Sequence, residues 1–339
     1  MFYGSDNTGP AHPAVMDRVI AANTGHQPAY GSDPLVDEVR ERLRTVFEAP
    51  QAEVFLVATG TAANALALAC YCQPWQTVFC SKVSHIQVDE CNAPEFFAGG
   101  AKLTLVDTND KMTPEGLESA IGVFPVGDVH AAQRGPVSIT QVTERGSVHS
   151  LAELQALTAV AKRHDLPVHL DGARFANAMV ALGCSAADMS WKSGVDVVSF
   201  GGTKNGCMGV EAVVFFDPSK AWEFQLRRKR AAHLFSKHRF LAAQMVGYLD
   251  DNLFLRIAGQ ANDNAAKLAV GLRAKGAVFL HEPEANMIFA RIPREVHERL
   301  HAAGSRYDVW DEGDGMVGVR LVCDWSVTDE HMDQFLSYF

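Results

Sequence analysis

Three short stretches of this chain hold residue types that could do chemistry together. Thr59-Gly60-Thr61 precedes an Ala- and Leu-rich segment, 62–72, made of helix formers. Backbone N–H groups at such a helix start, aided by the helix dipole, favour a phosphate; an N-cap and tight turn is the plainer alternative. The stretch is neither G-x-G-x-x-G nor G-x-x-x-x-G-K-[ST], which argues against a dinucleotide or P-loop nucleotide site. Asp171 follows Val168-His169-Leu170 and precedes Gly172-Ala173-Arg174, so a carboxylate emerges where an apolar run ends. Taken alone it reads as a helix N-cap. Lys204 stands among small residues in Ser199-Phe200-Gly201-Gly202-Thr203-Lys204-Asn205-Gly206, and by itself it reads as a surface turn lysine.

Together the three say more. A phosphate cradle, an acid able to pair with a protonated pyridine nitrogen and a lysine able to form a Schiff base are what a pyridoxal 5'-phosphate enzyme requires. The acid keeps the ring cationic and so able to draw electrons from the substrate Cα, and the lysine can exchange its place for the substrate amine.

The elements that must position these residues show in the hydrophobic pattern. Ser32-Asp33-Pro34 caps a helix over 32–48 with Leu35, Val36, Val39, Leu43, Val46 and Phe47 at helical spacing. Glu53–Val57 reads as a buried strand before the glycine turn and the helix 62–72. Strands at 77–80, 102–106, 136–142, 168–170, 195–200 and 212–216 alternate with helices near 150–164 and 173–182. Parallel neighbours need crossovers, so this alternation predicts an α/β fold with a mainly parallel sheet flanked by helices. From 218 to 275 the pattern is helical. Apolar runs at 277–280, 286–291 and 317–323 then predict a smaller α+β C-terminal unit, dividing the chain into a large domain over 1–250 and a small one over 251–339. In such sheets, ligands bind beyond the carboxyl ends of the strands, where Asp171 and Lys204 fall.

Composition narrows the partners. Thirty Lys and Arg against 40 Asp and Glu give a net charge of −10, which argues against broad nucleic-acid or anionic-membrane binding. No apolar run is long enough to cross a bilayer. Met1-Phe2-Tyr3-Gly4-Ser5-Asp6 lacks the regions of a signal peptide, so a soluble cytoplasmic protein is expected. Seven cysteines without a C-x-x-C pair read as reduced core thiols, and the 13 histidines are scattered along the chain, so no metal site is expected.

The string His169-Leu170-Asp171-Gly172-Ala173-Arg174-Phe175-Ala176-Asn177-Ala178 with Phe200-Gly201-Gly202-Thr203-Lys204-Asn205-Gly206, preceded by Tyr30-Gly31-Ser32-Asp33-Pro34 and Thr59-Gly60-Thr61-Ala62-Ala63-Asn64, resembles the low-specificity L-threonine aldolases. The resemblance runs from about Ser5 to Arg320. It implies the aspartate-aminotransferase-like fold type I of pyridoxal phosphate enzymes and a homo-oligomer, usually a tetramer, with active sites at dimer interfaces.

By that resemblance Lys204 matches the Schiff-base lysine, Asp171 the pyridine-nitrogen partner and Arg174 a residue beside the cofactor O3' and the substrate. Gly60 and Thr61 match the phosphate loop, and His85 the histidine that stacks on the ring. Ser5 and Arg320 match the pair that grips the substrate carboxylate, and Tyr30 falls on the substrate side. Arg239, with Arg230 assisting, would reach a neighbouring subunit's phosphate; both also read as solvated helix charges. His130 matches a second family histidine near the substrate side chain, and His85 or His130 would take the β-hydroxyl proton. Asp89 and Glu90 depart from the aromatic or apolar residues of many relatives and imply a more polar pocket.

The activity implied is reversible retro-aldol cleavage of L-threonine, L-allo-threonine and related L-β-hydroxy-α-amino acids, such as phenylserine, to glycine and an aldehyde. A β-eliminating lyase or an aminotransferase on the same fold is the alternative, since the cofactor-holding residues are shared.

Overall fold

The computed structural model describes residues 1–313 and 315–339. Its larger sheet has seven strands: β1 (Glu53–Val57), β2 (Gln76–Ser81), β3 (Lys102–Val106), β4 (Gln133–Thr140), β5 (Val168–Gly172), β6 (Val197–Gly201) and β7 (Glu211–Phe215). They lie in the order β1-β7-β6-β5-β4-β2-β3. All pairs are parallel except those of β7, which runs antiparallel to both β1 and β6. β5, β6 and β7 are buried at every position, the consequence of helices covering both faces of a parallel sheet.

The helix Pro34–Val46 begins where Asp33 Oδ1 accepts the Leu35 N–H at 2.8 Å, and it buries Val36, Val39 and Leu43 as its spacing predicts. Gly60–Tyr71 differs: every residue from Ala62 to Cys70 is buried, so it is a core helix rather than an amphipathic one. Ser150 and Glu153 form a capping box at the head of Leu151–Arg163. The segment read as helical from 218 onward resolves into Ala221–Arg230, Arg239–Leu249 and Leu253–Ala274.

Past the last of these lies an antiparallel sheet of β8 (Val278–Phe279), β9 (Met287–Pro293), β10 (Asp308–Glu312) and β11 (Met316–Val322), in the order β10-β11-β9-β8. Strand β10 carried no sequence signal. It is an edge strand of composition Asp-Val-Trp-Asp-Glu, and charged edges are how sheets resist further pairing. Ile288, Ala290, Ile292, Val317, Val319 and Leu321 face Leu268, Leu272 and Phe335, whereas Met287 and Phe289 join the core of the larger sheet. The small sheet therefore wedges its second face against the large one.

The amino-terminal segment runs along this sheet. Tyr3 donates its N–H to Arg306 O and accepts that of Val322, both at 2.7 Å, which delivers Ser5 and Asp6 to the gap between the sheets. No helix among the described residues is long and apolar enough to cross a membrane. The expectation of seven core thiols needs correction at two positions: Cys184 is half-buried, and Cys91 is exposed where Cys91 and Asn92 form a left-handed turn on the surface.

Candidate active site

Asp171 is the fourth residue of β5, and Lys204 follows the end of β6 in the turn Thr203–Asn205. β5 and β6 are paired in parallel register, with Asp171 opposite Ser199, so adjacent strands release their chemistry on the same side. Asp171 is 3% exposed. Its Oδ1 accepts the Ala173 N–H at 3.0 Å and its Oδ2 a hydrogen from Asn64 Nδ2 at 2.8 Å. The carboxylate is thereby aimed by its own following turn and by the core helix.

Across the site stands His85, first residue of the short helix His85–Val88. Its N–H donates to Glu144 Oε1 at 3.0 Å, and its ring Nδ1 lies 2.8 Å from Glu90 Oε1. That same oxygen accepts a hydrogen from Asn64 Nδ2 at 2.9 Å. The bond to Glu90 raises the His85 pKa against the opposing effect of burial, and the charges of Asp171 and Glu144 add to it. Burial raises that of Glu90.

Arg174 closes a third side. It caps the helix Phe175–Leu182 at its start and meets Asp6 through two hydrogen bonds, Nε to Oδ2 at 2.7 Å and Nη2 to Oδ1 at 2.8 Å. Asn286 donates to Asp6 Oδ2 at 3.0 Å. Burial alone would raise the Asp6 carboxyl, but the guanidinium overcomes it and holds the pKa below the ordinary range. Two further acids face the site. Glu144, raised by burial and by Asp171, is partly exposed in the cavity wall, and Glu211, on β7, accepts the Gly202 N–H at 2.7 Å. Burial lifts Glu211 from the ordinary 4.5 to about 7.

One cavity of about 400 Å³ is lined by Gly60, Thr61, Asn64, His85, Glu144, Asp171, Arg174, Lys204 and Glu211, with Asp6 and Glu90 standing behind its wall. At its mouth the Thr59 hydroxyl accepts the Ala62 N–H at 3.2 Å, while the first-turn N–H groups of Gly60 and Thr61 have no intrahelical acceptor. No atom lies within 4 Å of where a Cβ on Gly60 would stand. An open helix N-terminus, a buried carboxylate, a lysine and an imidazole around one space fit a phosphorylated pyridine.

Six sequence-derived residues lie outside this lining. Ser5 caps the turn Asp6–Thr8, accepting the Asn7 N–H at 3.1 Å, and Arg320, on β11, donates to Gly4 O at 2.9 Å and pairs with Asp308; both sit beside the site. Tyr30 is 52% exposed, with Lys229 Nζ 4.8 Å from its ring centre. Arg230 is exposed at the end of its helix. Arg239 donates to Thr24 O and stands 3.7 Å from Asp33, in a separate cavity of about 320 Å³. His130 is on an exposed turn held by its N–H to Asp128 Oδ1 at 2.9 Å. The structure thus gathers Gly60, Thr61, His85, Asp171, Arg174 and Lys204, leaves His130, Tyr30 and Arg230 at the surface, and sets Arg239 in the wall of the separate cavity.

The roles of Asp6, Asn64, Glu144 and Glu211 escaped the sequence reading, and so did the contact of Glu90 with His85. The signal for Asn64 is a polar residue in the otherwise apolar run Ala62–Cys70 of the core helix. Among the described residues no group of three acid, cysteine or histidine side chains is arranged to hold a metal.

The fold and the cavity define a pyridoxal phosphate enzyme of fold type I. The sequence profile of beta-eliminating lyases matches residues 4–294. The chain is 42% identical to the low specificity L-threonine aldolase of Pseudomonas aeruginosa, over 97% of this chain and 94% of that one. It superposes on the threonine aldolase of Leishmania major with a TM-score of 0.94 at 25% identity, covering 99% and 97% of the two chains. It shares its fold, at a TM-score of 0.71 and 17% identity, with the serine palmitoyltransferase of Sphingomonas wittichii, covering 100% and 86%. The chain belongs to the beta-eliminating lyase family, alongside the low specificity L-threonine aldolases.

Proposed function

We propose that this enzyme cleaves L-threonine, L-allo-threonine and related L-β-hydroxy-α-amino acids reversibly to glycine and an aldehyde. The observation that carries this reading is the convergence of Lys204, Asp171 and His85 on one cavity, in a chain 42% identical to a threonine aldolase. When bound, pyridoxal phosphate supplies an electron sink for the charge that develops at the substrate Cα.

The protein's own groups do the rest. Gly60 and Thr61 would hold the phosphate through their N–H groups, Asp171 would keep the pyridine nitrogen protonated, and Lys204 would hold the cofactor through Nζ. His85 takes the β-hydroxyl proton, directly or through water. Its Nδ1 is occupied by Glu90, and among the described residues Nε2 has no partner. Arg320 Nε is buried without a partner, which suits it to a carboxylate beside Ser5. That grip orients the bond to be broken relative to the ring and so decides which bond breaks.

The finer assignments belong to this proposal. The functional unit is a homotetramer working in the cytoplasm; the free cysteines agree with a reducing compartment. The exposed turn that carries His130 also exposes Val123, Val126 and Val129, a surface suited to another subunit, and would bring His130 to a neighbour's cavity. Arg239, Arg230 and Tyr30 would act across the same kind of boundary, and the large and small domains divide near residue 250.

Incubation of the cofactor-loaded enzyme with L-threonine and with L-allo-threonine, followed by identification of the carbon products, tests the reading. Glycine with acetaldehyde is expected. Appearance of 2-oxobutyrate would assign the site to elimination, and a transferred amino group would assign it to transamination.

A further inference from the structure

The cavity wall contains a buried fork. The two hydrogens of Asn64 Nδ2 go to two different carboxylates, Glu90 Oε1 at 2.9 Å and Asp171 Oδ2 at 2.8 Å. Turning the amide over would set its oxygen against both acids, so its orientation follows from its partners. Asn64 is 2% exposed and Glu90 4%, and both are enclosed by the core helix and the segment after His85.

Two nitrogens converge on one oxygen of Glu90. Oε1 accepts from Asn64 and also lies 2.8 Å from His85 Nδ1. The hydrogen bond from Asn64 favours the ionised form of Glu90, and an ionised carboxylate offers the ring an acceptor only. His85 therefore carries a hydrogen on Nδ1 and donates it, which leaves the lone pair of its neutral ring on Nε2.

We propose that Glu90 is the positioning residue of His85, clamped by Asn64 against Asp171, and that it fixes the imidazole as the Nδ1–H tautomer with Nε2 free to accept a proton in the cavity. The arrangement is that of an acid behind a catalytic histidine, which orients the ring and stabilises its protonated form. It rests on the reading of His85 as a base. Three acids face the imidazole: Glu90 behind it, Asp171 from β5 and Glu144 from the segment after β4. Lys204 and Arg174 line the same cavity. Among the acids only Glu90 touches the ring, and its contact is the largest influence on His85.

Histidine side-chain 15N NMR on the apo and cofactor-loaded protein tests this without reference to turnover. In the wild type, His85 should appear as Nδ1–H above its titration midpoint, and the Nε2–H form would overturn the proposal with no variant needed. Glu90→Gln keeps an accepting oxygen but removes the charge, so the tautomer should persist while the midpoint falls by about one pH unit or more. An unchanged midpoint would also overturn it. The pH profile of kcat/KM for threonine cleavage should shift its acidic limb by the same amount, with KM moved less than kcat. A limb that stays in place while the NMR midpoint falls would uphold Glu90 as the partner of His85 and remove His85 as the base, which separates failure of the aldolase reading from failure of this one.

Discussion

Asp6 and Arg174 stand 168 positions apart in the chain and meet through two hydrogen bonds of 2.7 and 2.8 Å, both side chains buried. This pair ties the amino-terminal segment to the strand-end that carries Asp171. Removing one charge leaves the other buried and uncompensated. Asp6→Asn should lower the stability of the apo protein by about 3 kcal/mol in chemical denaturation. The pH dependence follows from the depressed carboxyl. Its contribution is present above the unfolded value of about 3.9 and is lost as pH falls through the folded value, so the variant should lack that part of the acid limb.

Lys204→Ala should abolish both threonine turnover and the visible absorbance of covalently held cofactor while leaving the circular dichroism spectrum unchanged. Lys204 contributes no packing to the sheet: it lines the cavity from the turn beyond β6. Retained turnover would remove it from the reaction.

Glu211 predicts the opposite pH behaviour from Asp6. Its pKa is raised from the ordinary 4.5 to about 7, so between those values the folded protein holds a proton that the unfolded chain releases. Stability therefore falls as pH rises through that window. Glu211→Gln, which can still accept the Gly202 N–H, should flatten this slope and be more stable than wild type at pH 8 by roughly 1–3 kcal/mol. Urea unfolding of the apo form at several pH values measures it.

Gly201 ends β6 against the chain that leaves β5. A Cβ there would overlap the Ala173 carbonyl oxygen, so a side chain forces the two strand-ends apart. Gly201→Ala should cost about 1–3 kcal/mol of stability. Because the strain falls between Asp171 and Lys204, it should also weaken cofactor retention in equilibrium dialysis. Wild-type retention would show that the two strand-ends tolerate separation.

Much of the site was legible in the sequence because its parts announce themselves locally. Asp171 and Lys204 each follow a run of buried strand residues, and Gly60-Thr61 opens a helix, so the three sit at element ends whatever the strand order. The strand-and-helix alternation likewise carried the α/β class. Strand β10 was not legible, since its polar edge composition satisfies no alternation.

What the sequence by itself determined is which residues could hold a phosphorylated pyridine and which elements present them, since capping, hydrophobic period and strand-end position are local properties. Only the tertiary structure decided how those groups are tuned. The strand order β1-β7-β6-β5-β4-β2-β3 brings Glu211 beneath Gly202, the core helix carries Asn64 between Glu90 and Asp171, and the path of the first residues along the small sheet delivers Asp6 to Arg174. Each of these contacts joins groups set by crossovers and sheet packing. Their charge and protonation depend on burial and on neighbours within about 3 Å, which no spacing along the chain encodes.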